Sequence, residues 1–228
     1  MMKTKVLLVE DEQAIRDGLV DLLIFKGYAP VAVGDGAQGI QKIQEDTFPI
    51  MIFDVMLPEY SGFELCACAR KLQPQAGIIL LTAKSQEEDI VRGFEEGCDD
   101  YITKPFSIKQ FLLRLGALER RVETPSLPNS KGMTLCTKTL NVFYGDRALQ
   151  VSKRDMDVLC FLYSHHDRIV EREELLKTVW GYKIAKDVPT RCVDMHITKL
   201  RRKLKSLFSD WELIRTIRGM GYRMELPE

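Results

Sequence analysis

Four apolar residues, Ile50-Met51-Ile52-Phe53, run without a break into a carboxylate at Asp54, and Pro58 ends the extended segment four residues later. An uninterrupted apolar run that stops at a turn predicts a strand buried on both faces, as in a parallel sheet. A charge at the end of such a strand costs several kcal/mol unless something offsets it. Asp54 therefore marks a site, and the remainder of the chain must supply partners for it and something for it to control.

Similar runs recur at residues 6–9, 31–33, 78–81 and 101–103, with helical patterns between them. Ile15, Leu19, Leu22 and Leu23 share one helix face and stop at Gly27, a residue suited to the position after a helix end. Ser107 with Gln110 matches a capping box and opens a helix to about residue 121. Strands alternating with helices predict right-handed crossovers and a doubly wound α/β parallel sheet. Pro30 cannot donate to a ladder, which puts the second strand at an edge and fits the order 2-1-3-4-5.

Ligands of such sheets bind beyond the carboxyl ends of the strands. Those ends carry Glu10 and Asp11, Asp54, Thr82, and Lys104 followed by Pro105. Taken singly, an Asp after a strand is most often a turn former or helix cap. Three carboxylates, a hydroxyl and an ammonium on one rim make a site. Two carboxylates ~5 Å apart repel by about 3 kcal/mol at an effective dielectric of 20. A hard cation relieves that repulsion, and Mg²⁺ prefers a few carboxylates together with water and phosphate oxygens. Asp54 is then placed to attack a phosphoryl group and form an acyl phosphate, with Lys104 and Thr82 holding the phosphoryl oxygens. No G-x-x-x-x-G-K loop is present in this half, so the phosphoryl group is expected from elsewhere, without catalytic turnover on an external substrate.

The segments VEDE (9–12), DVMLPEYSGFEL (54–65), LTAK (81–84) and GCDDYITKPF (97–106) resemble the receiver domain of two-component response regulators over residues 4–121. The resemblance implies that Asp54 is the phosphoacceptor, with Glu10 and Asp11 in the acidic pocket. It further implies Mg²⁺ on Asp11, Asp54 and the Met56 backbone carbonyl, with Glu10 possible through water. Thr82 and Tyr101 are similar to the family's switch pair, Lys104 to its phosphate-binding lysine, and the Lys104–Pro105 bond is implied to be cis. A phosphatase of the haloacid dehalogenase type also uses a strand-end Asp, but needs a second Asp two residues on, where this chain has Met56. The family's transcription factors dimerise through the last strand and last two helices of the receiver. Asp100 with Arg114 and Asp99 with Arg121 match their charge pairs, whereas Ile90 and Gln110 stand where a third pair is usual.

Formal net charge is zero, yet residues 1–122 hold 14 Lys and Arg against 19 Asp and Glu, and the remainder 19 against 14. An acidic half joined to a basic half suggests two tasks, the second on nucleic acid. The polar stretch 122–132, with Pro125 and Pro128, reads as a linker between domains at 1–121 and 133–228. Beyond it come a small antiparallel sheet, a helix capped by Ser152, a helix over 171–180, and a third from about Pro189 to Leu207. On that third helix Val193, Ile197, Leu200 and Leu204 form an apolar stripe. Arg191, Met195, Thr198 and Arg202 lie opposite, with Lys199 and Lys205 on the flanks. A hairpin over 212–224 puts Arg218 at its tip.

Three helices and a hairpin make an α+β winged helix-turn-helix. The segments LQVSKRDMDVL, VEREELLKTVW, RCVDMHITKLRRKL and IRTIRGMGYRM are similar to the C-terminal domain of the OmpR/PhoB class. That resemblance implies that Met195 and Lys199 face bases and that Arg191, Thr198 and Arg201 hold phosphates, with His196 and Arg202 as further phosphate candidates. Arg218 would enter the minor groove.

The six cysteines are scattered without zinc spacing and read as reduced packing residues. No 18-residue apolar run or signal-peptide core is present, so a cytoplasmic protein is expected. The reading is a response regulator phosphorylated on Asp54 by a sensor histidine kinase, pairing as a homodimer on tandem half-sites of promoter DNA. The alternatives are a DNA-binding dimer indifferent to phosphorylation and a module that binds protein instead of DNA.

Overall fold

The computed structural model describes residues 3–83, 92–93, 95–119, 127–130, 132–182, 191–209 and 211–227. The chain forms two compact units, Met1–Leu115 and Gly116–Glu228. Among the described residues no helix is long and apolar enough to cross a membrane. All six cysteines are free thiols.

In the first unit β1 (Lys5–Val9), β2 (Ala29–Val33), β3 (Ile50–Asp54), β4 (Gly77–Thr82) and β5 (Asp100–Thr103) pair in parallel, in the order β2-β1-β3-β4-β5. The expected doubly wound sheet is present, with β2 and its Pro30 at the edge. Every residue of β3 is buried, as both-face coverage of a central parallel strand requires. Around the sheet are α1 (Gln13–Phe25), α2 (Gly36–Glu45), α3 (Gly62–Leu72) and α4 (Ile108–Glu119). Leu19 and Leu23 of α1 are buried, and Gly27 takes a φ of 89° just after the helix, a conformation in which any Cβ would be strained. Ser107 and Gln110 exchange side-chain and backbone hydrogen bonds ahead of α4, so the predicted capping box forms.

In the second unit β6 (Leu127–Ser130), β7 (Met133–Cys136), β8 (Asn141–Tyr144) and β9 (Arg147–Gln150) form an antiparallel sheet in chain order. β6 falls within the stretch read as linker. Its Pro128 is tolerated because β6 is an edge strand whose pairing with β7 is irregular. After it come α5 (Lys153–Ser164), β10 (Val170–Glu171), α6 (Arg172–Thr178), α7 (Arg191–Leu204), β11 (Ile214–Ile217) and β12 (Gly221–Met224). The last three strands make a second sheet, β10-β12-β11, whose β11–β12 hairpin is the wing. Val158, Leu159, Leu175, Trp180, Val193, Ile197 and Leu200 are fully buried and pack the three helices into one core. The apolar stripe read on α7 is therefore its inward face. The architecture is a doubly wound α/β domain followed by an α+β winged-helix domain.

Candidate functional site

The rim of the first unit's sheet gathers the strand-end residues because parallel strands all point their carboxyl ends the same way. Asp54 closes β3 and Glu10 follows β1, both buried, while Asp11 is exposed. Ligand oxygens of Glu10, Asp11 and Asp54 lie within 4.8 Å of one another. Lys104, just past β5, lies 2.8 and 2.9 Å from the two Glu10 carboxylate oxygens and forms an ion pair with Asp54 Oδ2. Its own amide donates to the Thr82 carbonyl at 2.6 Å, which ties the lysine's backbone to the end of β4. Met56 N–H donates to Asp54 Oδ1 at 2.8 Å. The Lys104–Pro105 bond is cis.

Burial, with the neighbouring Asp54 charge, pushes the Glu10 carboxyl up to about 7 against the pull of Lys104. The Lys104 ammonium is depressed by burial, but hydrogen bonds to Asp54 and Glu10 outweigh that and leave its pKa raised. One ammonium faces three carboxylates, two of them buried, and a rim so rich in carboxylate oxygens fits a hard cation. Arg16 of α1, which sequence reasoning passed over, donates from Nη1 to the carbonyls of Glu10 at 2.7 Å and Asp11 at 3.2 Å. Its place in the first turns of α1, six residues after Glu10, was the available signal.

Gly62, the first residue of α3, packs where a Cβ would sit 2.1 Å from the Asp54 carbonyl oxygen. Gly62→Ala is expected to destabilise the first unit by about 3 kcal/mol through overpacking against backbone that cannot yield. Urea unfolding of this unit would read that loss, and an unshifted midpoint would show that the loop relaxes.

Tyr101 of β5 is half-buried, with the Arg114 guanidinium 5.8 Å from its ring centroid. Arg114 pairs with Asp100 inside the chain, and Asp100 is almost fully buried. Asp99 requires a correction. It is buried, and its Oδ2 accepts from Arg70 at 2.9 Å and from Ile78 N–H at 2.8 Å, so it offers no surface charge to a second copy. Arg121 and Ile90 lie outside the described residues, and Gln110 is exposed and engaged in its capping box.

In the second unit α7 exposes Thr198 and Arg202, with Met195 half-buried and Arg218 exposed at the wing's tip. Arg191 begins α7, and its side chain lies outside the described residues. Three expectations on α7 are corrected. His196 is wholly buried, its Nε2 2.9 Å from Asp155 Oδ1, and its ring meets Trp180 edge-on. Lys199 is 3% exposed, with its ammonium enclosed and without a hydrogen-bond partner. Arg201 points along the wing, donating from Nε to the Ile214 carbonyl at 2.7 Å and from Nη2 to Thr216 Oγ1 at 2.8 Å.

The cause for the first two is Asp155 of α5, which is fully buried and also accepts from Lys203 at 2.7 Å and from Ser152 N–H at 3.1 Å. Burial alone would raise this carboxyl, but Lys199, His196 and Lys203 overcome that and hold it well below the usual carboxylate range. Positions 196, 199 and 203 lie three and four residues apart, on one side of the helix, so a single carboxylate draws all three inward.

Residues 6–115 match the family of the response regulator receiver domain, and residues 146–224 match the family described as transcriptional regulatory protein, C terminal. The chain is 36% identical over 219 residues to the response regulator ArlR of Staphylococcus saprophyticus, covering 96% of this chain and 98% of that one. It is 33% identical over 240 residues to the alkaline phosphatase synthesis transcriptional regulatory protein PhoP of Bacillus subtilis, covering 100% and 99%. Among solved structures, DrrB, a Thermotoga maritima OmpR/PhoB homologue, shares 30% identity at a TM-score of 0.54 over 98% of this chain and 99% of that one. A mutant of RitR, at 23% identity and a TM-score of 0.78 over 97% and 99%, shares the fold.

Proposed function

Because this chain belongs to the two-component response regulators that join a receiver to an OmpR/PhoB-type winged-helix DNA-binding domain, we propose that a sensor histidine kinase switches its DNA binding by phosphorylating Asp54. The observation that carries this reading is the Asp54 carboxylate held between the Lys104 ammonium and the Met56 amide, beside Glu10 and Asp11. An Asp54 oxygen forms the new bond to phosphorus as the bond to the donor's imidazole nitrogen breaks. Asp11, Asp54 and the Met56 carbonyl would hold Mg²⁺, which supplies charge neutralisation to the transferring phosphoryl group. Lys104 then shifts from the free carboxylate to a phosphoryl oxygen, and Thr82 accompanies it. The added charge of about −1.5 to −2 biases Thr82 and Tyr101.

Phosphorylated receivers pair, and two winged domains bind tandem half-sites of promoter DNA in the cytoplasm, where pairing raises affinity through effective concentration. Domain limits of 1–121 and 133–228 belong to this reading. Arg191, Thr198 and Arg202 would face phosphates, Met195 bases, and Arg218 the minor groove. A second reading, DNA binding by the same class of dimer without phosphorylation, is favoured by one observation. Asp99, through Oδ2, and Asp100, both expected as interface charges, are paired with arginines of their own chain.

Footprinting the purified protein on its own genomic DNA, with and without a small phosphodonor, tests both. Tandem half-sites protected at lower protein concentration with the donor support the switch. Equal protection in both arms supports the second reading, and no protection with a flat salt response defeats DNA binding altogether.

A further inference from the structure

The wing is held to the rest of its domain by little backbone. β12 pairs with β10 at two positions only, Val170 with Tyr222 and Glu171 with Gly221. Gly221 is fixed there because a Cβ would fall 2.1 Å from the Val170 carbonyl oxygen. Two residue pairs are too few to set a hairpin's direction by themselves. Side chains from three elements converge beside them. Asp194, in the first turn of α7, accepts at one oxygen from Arg172 Nε of α6 at 2.7 Å and from the Tyr222 hydroxyl of β12. Two guanidiniums lie near the Tyr222 ring, Arg172 Cζ at 5.0 Å and Arg201 Cζ at 5.7 Å from its centroid. Arg201 in turn carries the two hydrogen bonds to β11 described above.

Asp194 lies on the recognition helix next to Met195. A carboxylate there suits the helix dipole, yet left bare it would repel a polyanion. Two donors on one oxygen, one of them cationic, reduce that repulsion and use the charge to hold the wing. Burial and the Asp194 carboxylate push the Tyr222 phenol above its ordinary range, so it remains a donor at physiological pH.

We infer that Asp194, Arg172 and Tyr222 form a clamp that fixes the wing against the recognition helix, making the Tyr222 hydroxyl a positioning residue for the DNA contact of Arg218. Arg218 sits in the turn between Ile217 and Gly221, which pair across the hairpin, so the hairpin's direction sets where the guanidinium arrives. The inference rests on the DNA-binding reading for its consequence, though the clamp itself does not.

Two measurements on the full chain separate these. In the first, amide hydrogen exchange of Tyr222→Phe, which keeps the ring and its two cation contacts, is compared with the parent. Exchange at the β11 and β12 amides is expected to rise about tenfold, with α5 protection unchanged. Asp194→Ala should reproduce this, and Asp194→Asn, which keeps an acceptor oxygen, should restore most of the protection. Unchanged wing protection in both Tyr222→Phe and Asp194→Ala overturns the clamp.

In the second, Arg218→Ala is made in the parent and in Tyr222→Phe, and affinity is measured on the footprinted duplex. Arg218→Ala is expected to weaken parental binding about tenfold and to add less than twofold in the Tyr222→Phe background. Losses that multiply would show that the hydroxyl does not position Arg218. Failure of the parent to bind any duplex would remove the regulator reading, while hydrogen exchange would still decide the clamp.

Discussion

Asp54→Asn is expected to abolish acyl phosphate formation when the protein is incubated with a small phosphodonor and Mg²⁺, read by intact mass. The substitution is nearly isosteric. Its amide oxygen can still accept from the Met56 N–H, so the loop after β3 has no reason to move. What disappears is the nucleophile: an amide oxygen lacks the charge and basicity that let a carboxylate attack phosphorus. Loss of the charge also leaves Lys104 with Glu10 alone, an ion pair already formed through both Glu10 oxygens, so the lysine is not stranded. A phosphoryl mass increase retained by the variant would sink the assignment of Asp54, and Glu10 and Asp11 would be the next acceptors to examine.

The second large effect belongs to the other unit. Asp155→Asn should destabilise the winged domain by about 3–5 kcal/mol, because it leaves the buried Lys199 ammonium with no counter-charge and takes the ion-pair partner from Lys203. A thermal midpoint lower by roughly 10–20 °C follows for a domain of this size. Asp155 has its carboxyl depressed in the folded state below the ordinary 3.8. Its stabilisation is therefore complete above the unfolded value and is lost as pH falls through the folded one. Thermal unfolding of the parent across the acid range should show a midpoint falling steeply below about pH 4. In Asp155→Asn the midpoint should be lower throughout and that steepness reduced. Parallel curves for the two proteins would mean that Asp155 is not the group that titrates.

The receiver was legible because each element announced itself locally. Apolar runs gave the strands, Pro30 gave the edge, and parallel topology then required Glu10, Asp54, Thr82 and Lys104 to share a rim. Nothing comparable was available for Asp99, whose partner Arg70 lies 29 residues earlier on a different element. The α7 stripe was legible as an apolar face, but a helical projection fixes only the direction of a side chain. It does not show a carboxylate waiting there. Lys199 stood at the edge of the stripe, and Asp155, on another helix, decided which way it turned. Strand 127–130 was not legible for a similar reason, since a proline signals a linker locally while an edge strand accommodates it.

The buried carboxylate beneath α7 also limits how this protein can be retargeted. Of the polar residues on the recognition helix, His196, Lys199 and Lys203 answer to Asp155, and Asp194 and Arg201 answer to the wing. On the proposed reading, the positions left for addressing DNA are few: Arg191, Met195, Thr198 and Arg202. A library that randomises the whole helix would mostly return unfolded chains. One confined to those four positions is expected to alter operator preference while keeping the fold.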